Sequence, residues 1–188
     1  IIPLNSSKYK ICFVISNITL GGAERQFIKI INNLDSNIFE IDLLLYSFNG
    51  KIPFYINKDI NINSISNSRY SRFKIFKIMQ SLLVLRKYFK KNKYDIIQTT
   101  LFMNSLILRL ALSKSYDNKV IGMIRTSSYK WWQYLLEFIL IKRSYLITNS
   151  NFVYEKLTNI QKFKYKIYYI SNGFEIVDDN YLTKEKRN

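Results

Sequence analysis

The strongest constraint on what this 188-residue chain can fold into is an alternation. Short apolar runs rich in β-branched residues keep giving way to stretches whose apolar residues fall at helical spacing. Lys10 to Ser16 (KICFVIS) is a run of the kind shown by strands buried on both faces of a parallel sheet. After Asn17-Ile-Thr-Leu-Gly-Gly-Ala-Glu-Arg, the segment Ala23 to Leu34 places Phe27, Ile30, Ile31 and Leu34 on one helical face. The unit then recurs. Ile41 to Tyr46 is a second strand, and Ile60 to Ile65, alternating Ile with Asn or Ser, is a weaker, edge-like one. Ser71 to Lys93 predicts a long helix with Ile75, Ile78, Leu82, Leu85 and Phe89 along one stripe. Strands at Asp95–Gln98, Val120–Ile124, Tyr145–Thr148 and Lys166–Ile170 alternate with helices at Asn104–Ser113, Lys130–Ile141 and Phe152–Asn159.

Such alternation predicts an α/β fold: a doubly wound, mostly parallel sheet of about seven strands in a Rossmann-like three-layer α/β/α arrangement. With 48% hydrophobic and 16% aromatic residues the chain is too apolar to stay disordered, and its length predicts one domain or at most two small ones. Only Pro3 and Pro53 interrupt the pattern, and neither falls in a required element. Glu175 to Asn188 is polar and lacks apolar periodicity.

Composition removes several chemistries. There is no histidine, which excludes Ser-His-Asp and Cys-His nucleophiles and any His-bearing zinc site. One cysteine, Cys12, excludes a disulfide framework and a Cys-only metal cluster, so no metal and no resident cofactor are expected. Mid-strand, that thiol reads as a small buried hydrophobe. Backbone amides, Arg, Lys, carboxylates, hydroxyls and amides are left. The longest apolar stretches, Leu82 to Leu85 and Leu135 to Ile141 with Glu137 inside it, fall well short of the ~20 residues a membrane-spanning helix needs. No signal peptide is visible, although the first residues lack an initiator Met; the lone thiol fits a cytoplasmic protein.

The formal net charge is +16, from 29 Lys and Arg against 13 Asp and Glu. That balance favours a polyanionic partner (a phosphorylated ligand, anionic lipid or nucleic acid) or serves solubility alone. No helix-turn-helix, RRM or KH pattern accompanies it, so nucleic acid is not the expected partner. Nine of the cations fall in the acid-free stretch between Asp59 and Asp95, interleaved with Tyr70, Phe73, Phe76, Tyr88 and Phe89. A helix with an apolar stripe and cationic flanks lies well on an anionic membrane surface, with Arg72, Phe73, Lys74, Phe76, Lys77, Lys87, Lys90, Lys91 and Lys93 toward lipid. A core-packed helix with a solvated basic face shows the same pattern, and the two readings are compatible. Trp131, Trp132 and Tyr134 fit an interfacial anchor, an acceptor-pocket wall or plain core packing.

The loop Leu20-Gly21-Gly22-Ala23-Glu24-Arg25 is the first candidate for chemistry. Ligands of doubly wound sheets bind at the carboxyl ends of strands beside helix N-termini, where glycines admit close backbone approach and free N–H groups favour anions. A tight turn requiring positive φ explains the doublet equally well. The dinucleotide G-x-G-x-x-G pattern and the P-loop are absent.

A strand followed by GGAERQFIKIINNL resembles the opening of the retaining GT-B glycosyltransferases of family 4. Later landmarks agree in order. Lys93-Tyr94-Asp95-Ile96-Ile97-Gln98 is similar to the family's Pro-Asp-Val-Val-His strand. Val120 to Arg125, Leu146 to Ser150 and Ile167 to Gly173 resemble its next three strands, the last closing the N-terminal domain. The likeness runs from Lys8 to Glu175. It implies a Rossmann-like N-terminal domain over 1–175, the start of an interdomain linker over 176–188, and a donor-binding C-terminal domain absent from this chain. Where many relatives carry a His, this chain has Arg125-Thr126, a guanidinium suited to a phosphate or sugar oxygen but not to base chemistry.

By this resemblance the binding residues are Gly21, Gly22 and Glu24 after strand one; Thr99 and Thr100 after strand four; and Arg125, Thr126 and Ser127 after strand five. Asn149 and Ser150 follow strand six, and Asn172 and Gly173 strand seven. No residue of this half is singled out as catalytic. Plainer roles stand beside these: Arg125 as a surface cation, Asn149 as a helix N-cap, Glu24 as a first-turn acid favoured by the helix dipole. The implied function is the acceptor-binding half of a glycosyltransferase. It would move a sugar from a nucleotide-sugar donor to a lipid-linked or surface-polysaccharide precursor, peripherally, on the cytoplasmic face of the membrane. The fragment alone is expected to be inactive. Alternatives are a non-catalytic membrane-docking subunit of a split glycosyltransferase and a basic nucleic-acid-binding domain.

Overall fold

A computed structural model describes residues 8–18, 21–46, 52–53, 55–65, 74–124, 130–160 and 163–172. Among them run, in chain order, β1 (Tyr9–Ile15), α1 (Gly22–Asn32), β2 (Phe39–Leu45), β3 (Asn61–Ser64), α2 (Lys74–Lys91), β4 (Ile96–Thr99), α3 (Phe102–Ala111), β5 (Val120–Ile124), α4 (Trp131–Leu140), β6 (Ser144–Thr148), α5 (Asn151–Thr158) and β7 (Ile167–Tyr169). Every expected strand and helix is present, with ends shifted by a residue or a few. Short 3-10 turns precede β5 and β6.

The seven strands form one sheet in the order β3-β2-β1-β4-β5-β6-β7, and every adjacent pair is parallel. The apolar runs are the inner strands. Ile11 to Ile15 of β1 and Ile41 to Leu45 of β2 are buried without a break, because helices or loops cover both faces there. The alternating Asn61–Ser64 strand lies at the edge, as its half-polar pattern requires.

The two faces carry different cores. Phe13, Ile15, Leu43 and Leu45 pack against Phe27, Ile28 and Ile31 of α1. On the opposite face Cys12, Val14, Leu44 and Ile97 meet Leu85 and Phe89 of α2, Leu108 of α3 and Tyr116. Further along that face Ile124, Leu146 and Ile167 pack with Val153 and Leu157 of α5 and with Phe163. The stripe expected on α2 holds from Ile78 onward but fails at its first member: Ile75 is 72% exposed. Trp131 is 77% exposed, so it is not a core residue; Tyr134 is half-buried beside the α5 core, and Trp132 meets Phe102 edge-on at 5.5 Å.

Candidate functional site

Strand order places the site. From β1 the chain winds outward through β2 and β3, then returns to β4 on the other side of β1 and winds away to β7. A doubly wound sheet opens a crevice outside the carboxyl ends of its strands at that reversal, here between β1 and β4.

The loop after β1 forms one wall. Asn17 Oδ1 accepts from the Ile18 amide (2.9 Å), and Ile18 is buried. Gly21 caps α1 with φ −76° and ψ 155°, an extended conformation open to any residue, and no described glycine has positive φ. The turn geometry therefore does not require the doublet. At Gly21 an added Cβ would meet only the Glu24 carboxylate, the movable end of a flexible side chain. At Gly22, which is exposed, an added Cβ would meet none of the described residues within 4 Å.

The loop after β4 forms the other wall. Thr99 and Thr100 are both fully enclosed (0% exposed), and the Thr100 hydroxyl lies 3.9 Å from Met123 Sδ. Leu101 follows with φ 67° and ψ 137°, an unfavourable backbone for a residue with a branched side chain, held at the start of α3. In the first turn of α3, Asn104 is buried and accepts from Tyr46 Oη (2.8 Å), which comes from the end of β2. Thr99 Oγ1, Asn104 Nδ2 and Ser105 Oγ are buried with no hydrogen-bond partner among the described residues. Thr99 was expected at this edge; the burial of Asn104 and Ser105 and the strained Leu101 were not anticipated from sequence. The only hint was the polar run Gln98-Thr99-Thr100 closing an apolar strand.

Asn149 and Ser150 follow β6, two strands from β4, and Asn172 follows β7, three strands away, or roughly 10–14 Å at about 4.8 Å per strand. Asn149 Nδ2 donates to Asn172 Oδ1 (3.2 Å), so two residues 23 apart in sequence meet. The N-cap of α5 is Ser150, whose Oγ accepts from the Val153 amide (3.4 Å), and not Asn149. Of the expected binding residues, Asn149 is bonded to Asn172, while Gly21, Gly22 and Glu24 follow β1 and Thr99 and Thr100 close the neighbouring β4; both threonines are fully enclosed and present no surface to a ligand. Arg125, Thr126, Ser127 and Gly173 lie outside the described residues, as do Arg72, Phe73 and the side chain of Lys74. Phe76, Lys77, Lys87, Lys90, Lys91 and Lys93 are exposed. Among the described residues no cluster of His, Cys, Asp and Glu is arranged to hold a metal ion, and no helix is long and apolar enough to cross a membrane.

The fold is similar to that of the UDP-N-acetylglucosamine 2-epimerase from Rickettsia bellii, with a TM-score of 0.62 at 11% identity, over 97% of this chain and 50% of the epimerase chain. This chain therefore spans half the length of that structure, and the likeness is one of fold. No curated protein matches the sequence. The family model for Glycosyltransferase Family 4 matches residues 20–177, from the Gly-Gly loop to just past the last strand. That match covers most of the 188 residues, and the chain belongs to Glycosyltransferase Family 4.

Proposed function

We propose that this domain is the acceptor-side half of a retaining glycosyltransferase that moves a sugar from a nucleotide-sugar donor to a lipid-linked or surface-polysaccharide precursor. The observation that carries the reading is the exposed Gly22 at the β1/β4 crevice, where an added Cβ would meet none of the described residues within 4 Å. Glu24, the amides after β1 and Arg125 are the groups we assign to sugar and phosphate oxygens, while Asn149 and Asn172 flank them. Most donor contacts fall to a second domain beyond the linker over 176–188, and transfer proceeds without a metal.

We place the enzyme peripherally on the cytoplasmic membrane face. Exposed apolar stripes support this: Ile75, Met79 and Leu83 recur every fourth residue on α2, and Trp131, Leu135 and Ile139 do so on α4. These side chains and the basic end of α2 together suit an anionic bilayer.

Gly22→Ala tests the site. It leaves the melting temperature of the 188-residue chain unchanged or slightly raised, since the new methyl meets none of the described residues and Ala stiffens the unfolded chain. In the full-length enzyme it lowers kcat/KM for sugar transfer at least ten-fold. Unchanged transfer would remove Gly22 from the site. Residues 1–188 alone should turn over no nucleotide sugar. Joint Ile75→Gln, Met79→Gln and Leu83→Gln substitution should abolish co-sedimentation with phosphatidylglycerol vesicles, and full retention would place the membrane face elsewhere.

A further inference from the structure

We propose a second ligand site, for a phosphate ester, at the opposite end of the sheet from the crevice. It is a groove of about 430 Å³ between the C-terminal halves of α2 and α3, lined by Arg86, Phe89, Lys90, Lys93, Leu112 and Tyr116, with Ala111 and Ser113 at its margin. Lys93 precedes β4 and Tyr116 precedes β5, so the groove opens at the amino ends of the strands. It does not depend on the glycosyltransferase reading of the carboxyl edge.

Charge is the first argument. Arg86 and Lys90 stand one turn apart on α2, and Lys93 lies just past its end; all three are exposed. Like charges at that spacing cost the helix a few tenths of a kcal/mol. No ion pair of the described residues reaches any of them. The nearby carboxylates are engaged elsewhere: Asp117 with Arg143 Nε (2.6 Å) and Asp95 with the Lys10 amide (2.9 Å).

Two helix C-termini converge here, each carrying roughly half a negative charge that would oppose an anion. Two lining side chains, Tyr116 and Arg86, and the neighbouring Arg143 occupy those carbonyls. Tyr116 Oη donates to Phe89 O (3.0 Å) and Asn92 O (2.8 Å) at the end of α2. Arg86 Nε donates to Ala111 O (3.2 Å) and Arg143 Nη2 to Leu112 O (3.2 Å) at the end of α3. Among the described residues no group engages either terminal nitrogen of Arg86, a fork that suits phosphate oxygens better than a single carboxylate charge does. The three cations exceed the two residual half-charges, so the groove is net positive.

The floor is the second argument. Phe89, Leu112 and Tyr116 are buried side chains that close the bottom of the groove, with Lys93 Nζ 5.8 Å above the Tyr116 ring. A ligand with a phosphate head and a small organic body satisfies both halves, whether it is a soluble ester or a lipid headgroup.

Charge-matched double variants test this in the 188-residue chain. Lys90→Gln with Lys93→Gln removes two charges from the groove. Lys58→Gln with Lys142→Gln removes two from exposed positions that neither line it nor belong to the basic end of α2. Titration calorimetry with inorganic pyrophosphate at low salt is expected to show the first pair weakening binding at least ten-fold and the second less than two-fold. Phosphatidylglycerol vesicles form the other arm. The same selective loss there and not with pyrophosphate assigns the phosphate to a lipid headgroup. Equal losses in the two pairs, or no binding of either probe to the wild-type chain, would overturn the site. All four side chains are exposed, so the variants keep the wild-type circular dichroism.

Discussion

Asp42 is a carboxylate inside a buried strand, and its neighbours show how one residue organises several others. Its oxygens accept from Tyr94 Oη (2.5 Å) and Asn61 Nδ2 (3.1 Å), and Tyr94 Oη is also bonded to Tyr88 Oη (2.8 Å). Cys12 lies opposite Asp42 in the β1–β2 register. Burial, and then the Asp42 charge, pushes the Cys12 thiol well above its ordinary range. Burial likewise raises Tyr94, helped by its bond to Asp42, and raises Tyr88 to about 12. Below the ordinary tyrosine value of 10.0 both rings are neutral in the folded and unfolded chains, and the contribution to stability is fully present. Above it the unfolded chain releases these protons and the native chain holds them, so stability falls as pH rises from about 10 toward 12. Urea midpoints measured across that interval should fall, and less steeply in Tyr88→Phe. A midpoint independent of pH there would remove the tyrosine pair from the account. Cys12 should resist thiol reagents until the chain unfolds. The charge in Phe-Glu-Ile-Asp-Leu-Leu-Leu is readable in the sequence. Its partners, 52 and 19 residues away, are not, because only the sheet register brings them to it.

Between elements, α3 and α4 are tied by a buried ion pair. Arg109 donates through both terminal nitrogens to Glu137 (2.8 Å each) and through Nη1 to Ser144 Oγ (3.3 Å), with Arg109 2% and Glu137 1% exposed. Breaking such a pair leaves a bare buried charge, at a cost of about 3–5 kcal/mol, whereas replacing both partners with apolar groups is often near neutral. Arg109→Met alone should therefore destabilise by about that much in urea denaturation, and Arg109→Met with Glu137→Leu far less. If the double variant equals the sum of the two singles, the ion pair is not the link. Each charge stands alone in an apolar stretch, Leu106 to Leu112 and Leu135 to Ile141, which marks it as unusual; their pairing is a matter of helix packing. The same layer has a tight contact at Gly122, where an added Cβ would lie 2.8 Å from Ser105 Oγ and 3.0 Å from Leu146 Cδ2. Gly122→Ala should destabilise by about 1–3 kcal/mol through overpacking, in contrast to Gly22→Ala at the exposed start of α1.

At the scale of the molecule, the four helices α2 to α5 lie on one face and α1 on the other, over β1 and β2. The α1 side of β5 to β7 is left with half-buried Ile121, Tyr145 and Ile147 beside exposed Tyr168 and Ile170, lining an open groove of about 430 Å³. Parallel sheets are rarely bare on a face, and among the described residues nothing covers this one and β7 pairs on one side only. The isolated 188-residue chain should therefore self-associate in light scattering as concentration rises, and Tyr168→Lys with Ile170→Lys should suppress it. The succession of strands and helices was legible in the sequence, since burial on both faces demands continuous β-branched runs and helix packing demands a 3.6-residue period. The family likeness followed from local motifs in the right order, and the family match confirms it. Strand order, the buried pair Arg109–Glu137, the meeting of Asn149 with Asn172 and the strained Leu101 were decided only by tertiary structure. Periodicity reports which side of an element is buried and carries no term for which distant element buries it; that choice belongs to packing and sheet register among residues far apart in the chain.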